Sequence, residues 1–334
     1  MEIFKNPSFD FMSKRKLFYV ASAVVILIGL MSIVINGGML YHLDFTGGLS
    51  MEISPRTEDG SFLTVYQVRE ALNRSGVTDA QIQEIPRNNS FLIRARSDFQ
   101  MDSVSGTVAY SDYGMAVADD HGSIVIERIL RDAFPAYTAH EDFVLSRDYV
   151  GPRAGADLRR KAVNAVLLSL LFMLIYIWVR FRFTWGFACA FGLFHDTMIA
   201  LAVLSLAGIE IGMTVMAALL TIIGYSINNT IVIFDRIREN LKLYRKEDDY
   251  AIINRSINET LNRNVVLVFT TLLTIASLLI FGGPVIHDFA FTLMVGIIAG
   301  TFSSIWIVTG IVMDIVLATK RKGNTKIQVS SFKK

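Results

Sequence analysis

His195 and Asp196 stand side by side within an apolar run, and Ser226, Asn228 and Asn229 lie in another; these are the residues of the 334-residue chain whose types and spacing invite chemistry. Counted from the start of its run, the His-Asp pair lies about ten residues in, roughly 15 Å at 1.5 Å per residue, close to the centre of a bilayer. A carboxylate there costs at least roughly 2.5 to 3.5 kcal/mol unless it is paired, hydrated or protonated. It therefore faces protein or water and serves as a buried polar contact or as a station on a proton path. No further His, Cys or carboxylate follows at ligand spacing, so no metal site and no metal-assisted hydrolysis are expected. Ser226, Asn228, Asn229 and Thr230 occupy the last third of the stretch 215–240, where an apolar span ordinarily holds Leu or Val. Amides at that depth need another helix or a water-filled cavity, so they act as bonds between helices or line a transport path. Asp235, Arg236, Arg238 and Glu239 then close the helix at the membrane surface.

A second polar face follows. Arg263, Leu267, Thr270, Thr274 and Ser277 recur at helical spacing, placing a cation at the inner end of one face and hydroxyls above it. Such a stripe is a packing surface or a hydrated path. Gly296, Gly300 and Ser304 recur every fourth position, a pattern that lets helices approach closely. Asp44-Phe45-Thr46-Gly47-Gly48 is different, because paired glycines open backbone conformations closed to other residues while Asp44 or Thr46 bonds local amides. It predicts a tight, rigid junction. No Gly-x-x-x-x-Gly-Lys-Ser/Thr loop occurs, nor a nucleophile–base pair, so the chain reads as no enzyme and its work must come from an ion gradient or a partner.

These residues must be carried by membrane helices. With 52% hydrophobic residues and a mean hydropathy of +0.45, the chain is too apolar for an ordinary soluble protein. Six apolar runs are legible, at 17–35, 162–179, 185–206, 214–234, 265–281 and 289–317. Lys14-Arg15-Lys16 precede the first, Arg180 and Arg182 follow the second, seven Lys or Arg fall within 235–264, and Lys320-Arg321-Lys322 follow the last, whereas 207–213 and 282–288 have none. Both termini are thus expected in the cytoplasm. Arg159-Arg160-Lys161, on the other side, read as the soluble start of a helix that continues into the second span. The first span follows a basic segment but is long and leads to no small-x-small cleavage site, so it is expected to stay as an anchor. Cys189 is the only cysteine, which excludes a disulfide within the chain.

The expected organisation is a cytoplasmic lead (1–16), the first span (17–35), an extracytoplasmic domain (36–160), spans two to six (161–320) and a cytoplasmic tail (321–334). In the lead, Phe4, Phe9, Phe11 and Met12 are placed to lie in the membrane interface. The domain shows strand patterns at 49–54, 81–85, 91–96 and 141–147 and helical patterns at 64–74 and 124–134. That order, β-α-β-β-α-β, predicts a ferredoxin-like unit, with a polar insertion at 97–122. Within 235–263, charged residues alternate with Ile237, Leu241, Tyr244, Ile252, Ile253 and Ile257, predicting amphipathic helices on the cytoplasmic membrane surface. The fold class is therefore an α-helical polytopic membrane protein with six transmembrane helices and one α+β ferredoxin-like extracytoplasmic domain.

Four blocks, in order, resemble the SecF branch of the SecD/SecF family of bacterial protein export. They are Leu43-Asp44-Phe45-Thr46-Gly47-Gly48, Phe194-His195-Asp196, Gly224-Tyr-Ser-Ile-Asn-Asn-Thr-Ile-Val-Ile-Phe-Asp-Arg-Ile-Arg-Glu-Asn240 and Phe281-Gly282-Gly283-Pro284, and the resemblance extends from about 10 to 320. It implies pairing with SecD as a pseudo-symmetric twelve-helix unit beside the SecYEG channel, with YajC and YidC as further partners. The unit would promote preprotein export at the outer face of the bacterial inner membrane, driven by the ion-motive force. No cofactor and no nucleic acid are implied. Half of a resistance-nodulation-division type exporter of small molecules or lipids shares the architecture and is the alternative; the signature blocks favour SecF.

One position departs from the family pattern, which usually reads Asn-Asp-Thr where this chain has Asn228-Asn229-Thr230. An amide does not titrate. The implied proton chemistry then falls to Asp196 or to a carboxylate on the SecD-like partner, with sodium coordination as the lesser alternative. Leu267, where related chains often place a hydroxyl, makes the path drier. Arg263 is expected to meet Asn228 and Asn229 across the contact between the fourth and fifth spans, since each set would satisfy the other.

Overall fold

A computed structural model describes residues 7–57, 61–77, 80–85, 89–95, 121–181 and 183–321. Most of the insertion expected at 97–122, together with Phe4, Arg182 and the tail beyond 321, lies outside the described residues. The chain divides into a unit spanning Tyr41–Ala162 and a membrane unit formed by the segments before and after it. Helix α1, Arg15–Ile35, opens the membrane unit.

The 41–162 unit begins with a helical turn, α2 (Leu43–Thr46), and continues through β1 (Gly48–Ile53), α3 (Val65–Arg74), β2 (Gln81–Ile85), β3 (Ser90–Ala95), α4 (His121–Ala133), the turn α5 (Pro135–Thr138) and β4 (Val144–Val150). All strand pairs are antiparallel and the order across the sheet is β2-β3-β1-β4, which is the ferredoxin-like arrangement. Alternation explains the layering: Leu49, Met51 and Ile53 point to one face of β1 and are buried with Val68 and Leu72 of α3 and Ile126 and Leu130 of α4. A capping box starts α3, the Thr64 hydroxyl accepting from the Gln67 amide and the Gln67 side chain accepting from the Thr64 amide. The last strand lies three residues later than its pattern suggested. Glu141–Phe143 form a 3-10 turn that buries Phe143, while β4 pairs on one side only and is mostly exposed, so it lacks the apolar alternation that would have marked it.

Helix α6 runs from Pro152 to Arg180, with Arg159, Arg160 and Lys161 ahead of its apolar stretch. After it come α7 (Phe183–Ala207), α8 (Met213–Leu243), α9 (Asp249–Phe281) and a last span built from α10 (Gly283–Phe302), a π segment (Ser303–Val308) and α11 (Thr309–Arg321). Six helices among the described residues are long and apolar enough to cross a membrane. Helix α8 is largely enclosed, packed by α7, α9 and α10. By contrast, α1 and α6 expose Leu17, Leu27, Met31, Leu167, Phe172 and Trp178, as lipid-facing helices do. The protein is thus a multi-pass membrane protein.

Two sequence expectations need correction. Residues 235–263 do not form separate surface helices: α8 continues unbroken to Leu243, α9 starts at Asp249, and Ile237, Leu241, Ile252, Ile253 and Ile257 are buried in one core. The apolar residues that suggested a membrane surface face each other instead. The lead also does more than lie in the interface. Met12 is wholly buried, and Asn254 and Asn258 of α9 grip the backbone beside it.

Candidate functional site

The turn of α7 that carries His195 and Asp196 faces the bundle interior, where Asp196 is 1% and His195 4% exposed. His195 Nδ1 lies 3.0 Å from Asp196 Oδ1, and the Ser226 hydroxyl of α8 donates to Asp196 Oδ2 at 2.5 Å. His195 Nε2 is buried without a hydrogen-bond partner. Small residues make this meeting possible. A Cβ added at Gly300 would lie 2.9 Å from both Cβ and Oγ of Ser226, and one at Gly296 would lie 2.1 Å from Ile222 Cδ1, so the Gly296, Gly300, Ser304 stripe is the face against α8. One turn further along α8, Thr230 Oγ1 and Ser304 Oγ lie 2.9 Å apart, and Thr309, the first residue of α11, donates back to the Ser304 carbonyl in the π segment at 2.6 Å. The interior between α7, α8 and the last span is therefore lined with hydroxyls and one carboxylate, a setting in which a proton can be held away from water.

Asn228 and Asn229 part company because successive residues on a helix differ by about 100°. Asn229 is buried and its amide reaches Thr301 of the last span at a long 3.5 Å, while Asn228 is exposed. On α9, Arg263, Leu267, Thr270, Thr274 and Ser277 are exposed as well, and Thr270 and Thr274 bond their own helix carbonyls. Arg263 forms no hydrogen bond or ion pair with either amide, which corrects the expected contact; Tyr225 bonding Thr271 at 3.3 Å is the polar link between α8 and α9 at that level. The predicted site residues thus fall into two groups: His195, Asp196, Ser226 and Asn229 inside the bundle, and Asn228, Arg263, Thr270 and Thr274 on its outer face.

The charged end of α8 is built as a set of bridges. Arg180 of α6 forks onto Asp235 at 2.8 and 2.9 Å, and Arg236 bonds Glu239 and Glu259 at 2.6 Å each. Arg238 is half-buried beside them. Asn240 ties the hairpin by donating to Ser256 at 3.0 Å and Glu259 at 2.6 Å. Beyond it, the Asn258 and Asn254 side-chain oxygens accept from the Phe9 and Phe11 amides at 2.9 and 2.8 Å, while both side-chain amides donate to the Phe9 carbonyl. Tyr250 donates to Asp10 at 2.5 Å and holds that carboxyl below its ordinary range. Asn254 and Asn258 were not singled out from sequence, although their spacing of four residues on one helical face was the available signal.

At the 44–48 junction, Leu43 and Phe45 are buried, Gly47 and Gly48 take φ of 75° and 143°, and α6 passes so close at Gly155 that a Cβ there would be 2.9 Å from the Gly47 nitrogen. The tight junction follows from those three glycines. Among the described residues no cluster of three His, Cys, Asp or Glu could hold a metal ion.

Residues 131–318 match the family model described as protein export membrane protein SecD/SecF, C-terminal. Protein translocase subunit SecF of Endomicrobium trichonymphae is 35% identical over 323 residues, covering 96% of each chain. The protein of the same name from Calditerrivibrio nitroreducens is 36% identical over 326 residues, covering 96% of this chain and 99% of the relative. Among solved structures, SecDF from Thermus thermophilus, described as a translocon-associated membrane protein, is similar at a TM-score of 0.75 and 35% identity over 93% of this chain. This chain spans only 39% of that SecDF chain.

Proposed function

Because this chain belongs to the SecD/SecF family of protein-export membrane proteins and is a SecF-type translocase subunit, we propose that it works with a SecD-type chain as one half of a gradient-driven export unit. The observation that carries the pairing is the outer face of α8 and α9. The Asn228 amide is exposed on a segment that spans the membrane, with Arg263 exposed on the neighbouring helix, and lipid tails cannot satisfy such groups. A second protein covering that face would. The SecDF likeness supports the same pairing, since the match to this chain covers about two fifths of that longer SecDF polypeptide.

In this reading both termini lie in the cytoplasm, the chain sits in the bacterial inner membrane, and the 41–162 unit projects outward to meet exported preprotein. Lys and Arg cluster at 14–16, 180–182, 236–263 and 320–322 and are missing from 207–213 and 282–288, which supports this orientation. The unit acts beside SecYEG, with YajC and YidC as further neighbours, and draws on a proton or sodium gradient. The exporter alternative is set aside, because the relatives named above are translocase subunits.

Purification through a tagged copy from gently solubilised membranes tests the pairing. Recovery with a SecD-type chain is expected, and loss of that chain on Arg263→Leu with Asn228→Leu would assign the contact to this face. Recovery of this chain alone as a homo-oligomer that binds hydrophobic small molecules would overturn the reading.

A further inference from the structure

We propose that His195, Asp196 and Ser226 form an intramembrane proton-binding site belonging to this subunit itself, distinct from the outer face of α8 and α9. Its use in export rests on the reading above; its existence does not. Asp196 is the less exposed of the two carboxylates buried in the described membrane unit, the other being Asp249 at the start of α9. Its bonding partners are two, one on its own helix and one on α8.

Several charged groups of the surrounding helices are engaged elsewhere. On α1 and α11, Arg15 and Tyr19 bond Asp314 at 2.8 and 3.1 Å; on α10, His287 and Asp288 lie 3.3 Å apart; on α8, Asp235 and Arg236 are held by Arg180, Glu239 and Glu259. Cys189, on α7 itself, is buried in the apolar core. What α8 and the last span turn toward this part of the interior is neutral: Ser226, Asn229 and Thr230, then Gly300, Thr301 and Ser304. The pair must therefore balance its own charge.

A carboxylate and an imidazole bonded to each other and closed off from water hold one proton between them as a net-neutral pair, whether it resides on Asp196 Oδ1 or on His195 Nδ1. Releasing that proton leaves one buried negative charge stabilised only by the Ser226 hydroxyl and one imidazole N–H, which is expensive in a low-dielectric interior. Release consequently requires water to enter or a helix to move. The unpartnered His195 Nε2 marks where exchange happens, since a buried ring nitrogen without a partner is unfavourable and is satisfied the moment a water arrives.

Ser226 converts the proton state into packing. Its hydroxyl donates to Asp196 Oδ2, a strong acceptor in the ionised carboxylate and a weaker one when Oδ1 carries the proton. Ser226 is also the residue against which Gly300 brings the last span. A change of bond strength there is felt at the contact of α8 with α10, with no need for a carboxylate at Asn229.

The test uses the full chain in lipid nanodiscs with nitrogen-15-labelled histidine, His195→Gln identifying the resonances. His195 Nδ1 should correlate with a hydrogen-bonded proton in slow exchange with solvent, the proton held between it and Asp196. Asp196→Asn should abolish that signal and Ser226→Ala should shift it, whereas Asn229→Ala should leave it in place. Should Asp196→Asn fail to insert, Ser226→Ala decides, because it removes only a hydroxyl. Absence of a slowly exchanging proton at His195, or a signal identical in the unmodified chain and Ser226→Ala, would overturn the proposal. A chain that shows the held proton but recovers no SecD-type partner overturns the pairing instead.

Discussion

Gly300→Ala perturbs the place where α8 and α10 come closest. The new Cβ would lie 2.9 Å from Ser226 Cβ and Oγ and 3.4 Å from its Cα, against an optimal carbon separation of roughly 3.5 to 4 Å, so the helices must part by about half an ångström or more. Overpacking of this size costs about 1 to 3 kcal/mol, and the better helix propensity of Ala returns up to about 1 kcal/mol. If Ser226 also rotates away from Asp196, loss of a bond to a charged acceptor adds about 1.5 to 3 kcal/mol. The net destabilisation is therefore up to about 3 kcal/mol from packing alone and about 1.5 to 6 kcal/mol if the Ser226 bond is lost as well. Gly224 of α8 provides the control, since a Cβ there meets nothing within 4 Å and Gly224→Ala should be neutral or slightly stabilising. Thermal unfolding of the full chain in detergent reads both, and adding Ser226→Gly to Gly300→Ala should restore part of the loss, because it removes the atoms that clash. Equal behaviour of the two alanine variants, or strict additivity in the double variant, would refute the packing described for Ser226 and Gly300.

Asn254→Ala with Asn258→Ala should release the lead, each lost bond being worth about 0.5 to 1.5 kcal/mol, and Trp306 fluorescence should report it because Phe11 packs on that ring at 5.8 Å. Tyr250 holds the Asp10 carboxyl below its unfolded value, so the stabilisation is complete above the ordinary carboxylate range and disappears as pH falls through the lowered value. The Trp306 signal should accordingly stay constant from neutral to mildly acid solution and change only in stronger acid, and Tyr250→Phe should bring that change to higher pH. In a Cys189→Ser background, an impermeant maleimide should label Tyr66→Cys from outside in spheroplasts and leave Lys246→Cys untouched; the reverse pattern would invert the topology.

The spans were legible because their composition leaves no other home for them, and the ferredoxin-like order was legible because strands such as Leu49-Met51-Ile53 alternate cleanly. Strand β4 was misplaced by three residues since an exposed edge carries no such alternation. At 235–263 the periodicity was right and the partner wrong: an apolar stripe fits a membrane surface and a neighbouring helix equally well, and only the structure shows Ile237 and Leu241 in one core with Ile252 and Ile257. The same limit governed Arg263. Sequence places a cation near two amides but not on which side of α8 each amide emerges, and Asn229 turned to the last span while Asn228 faced outward. The His195-Asp196 pair was visible from its depth alone, whereas its bond to Ser226 depends on Gly300, whose role only packing reveals.

Gradient-driven export in proteoliposomes tests the function most directly, with this chain and its SecD-type partner reconstituted beside the channel and a preprotein inside or outside as required. Imposing an ion gradient should accelerate completion of export, and Arg263→Leu should abolish the acceleration while leaving the subunit inserted. Acceleration that persists unchanged when this chain is omitted, or in Arg263→Leu, would contradict a SecF-type role carried by the α8–α9 face.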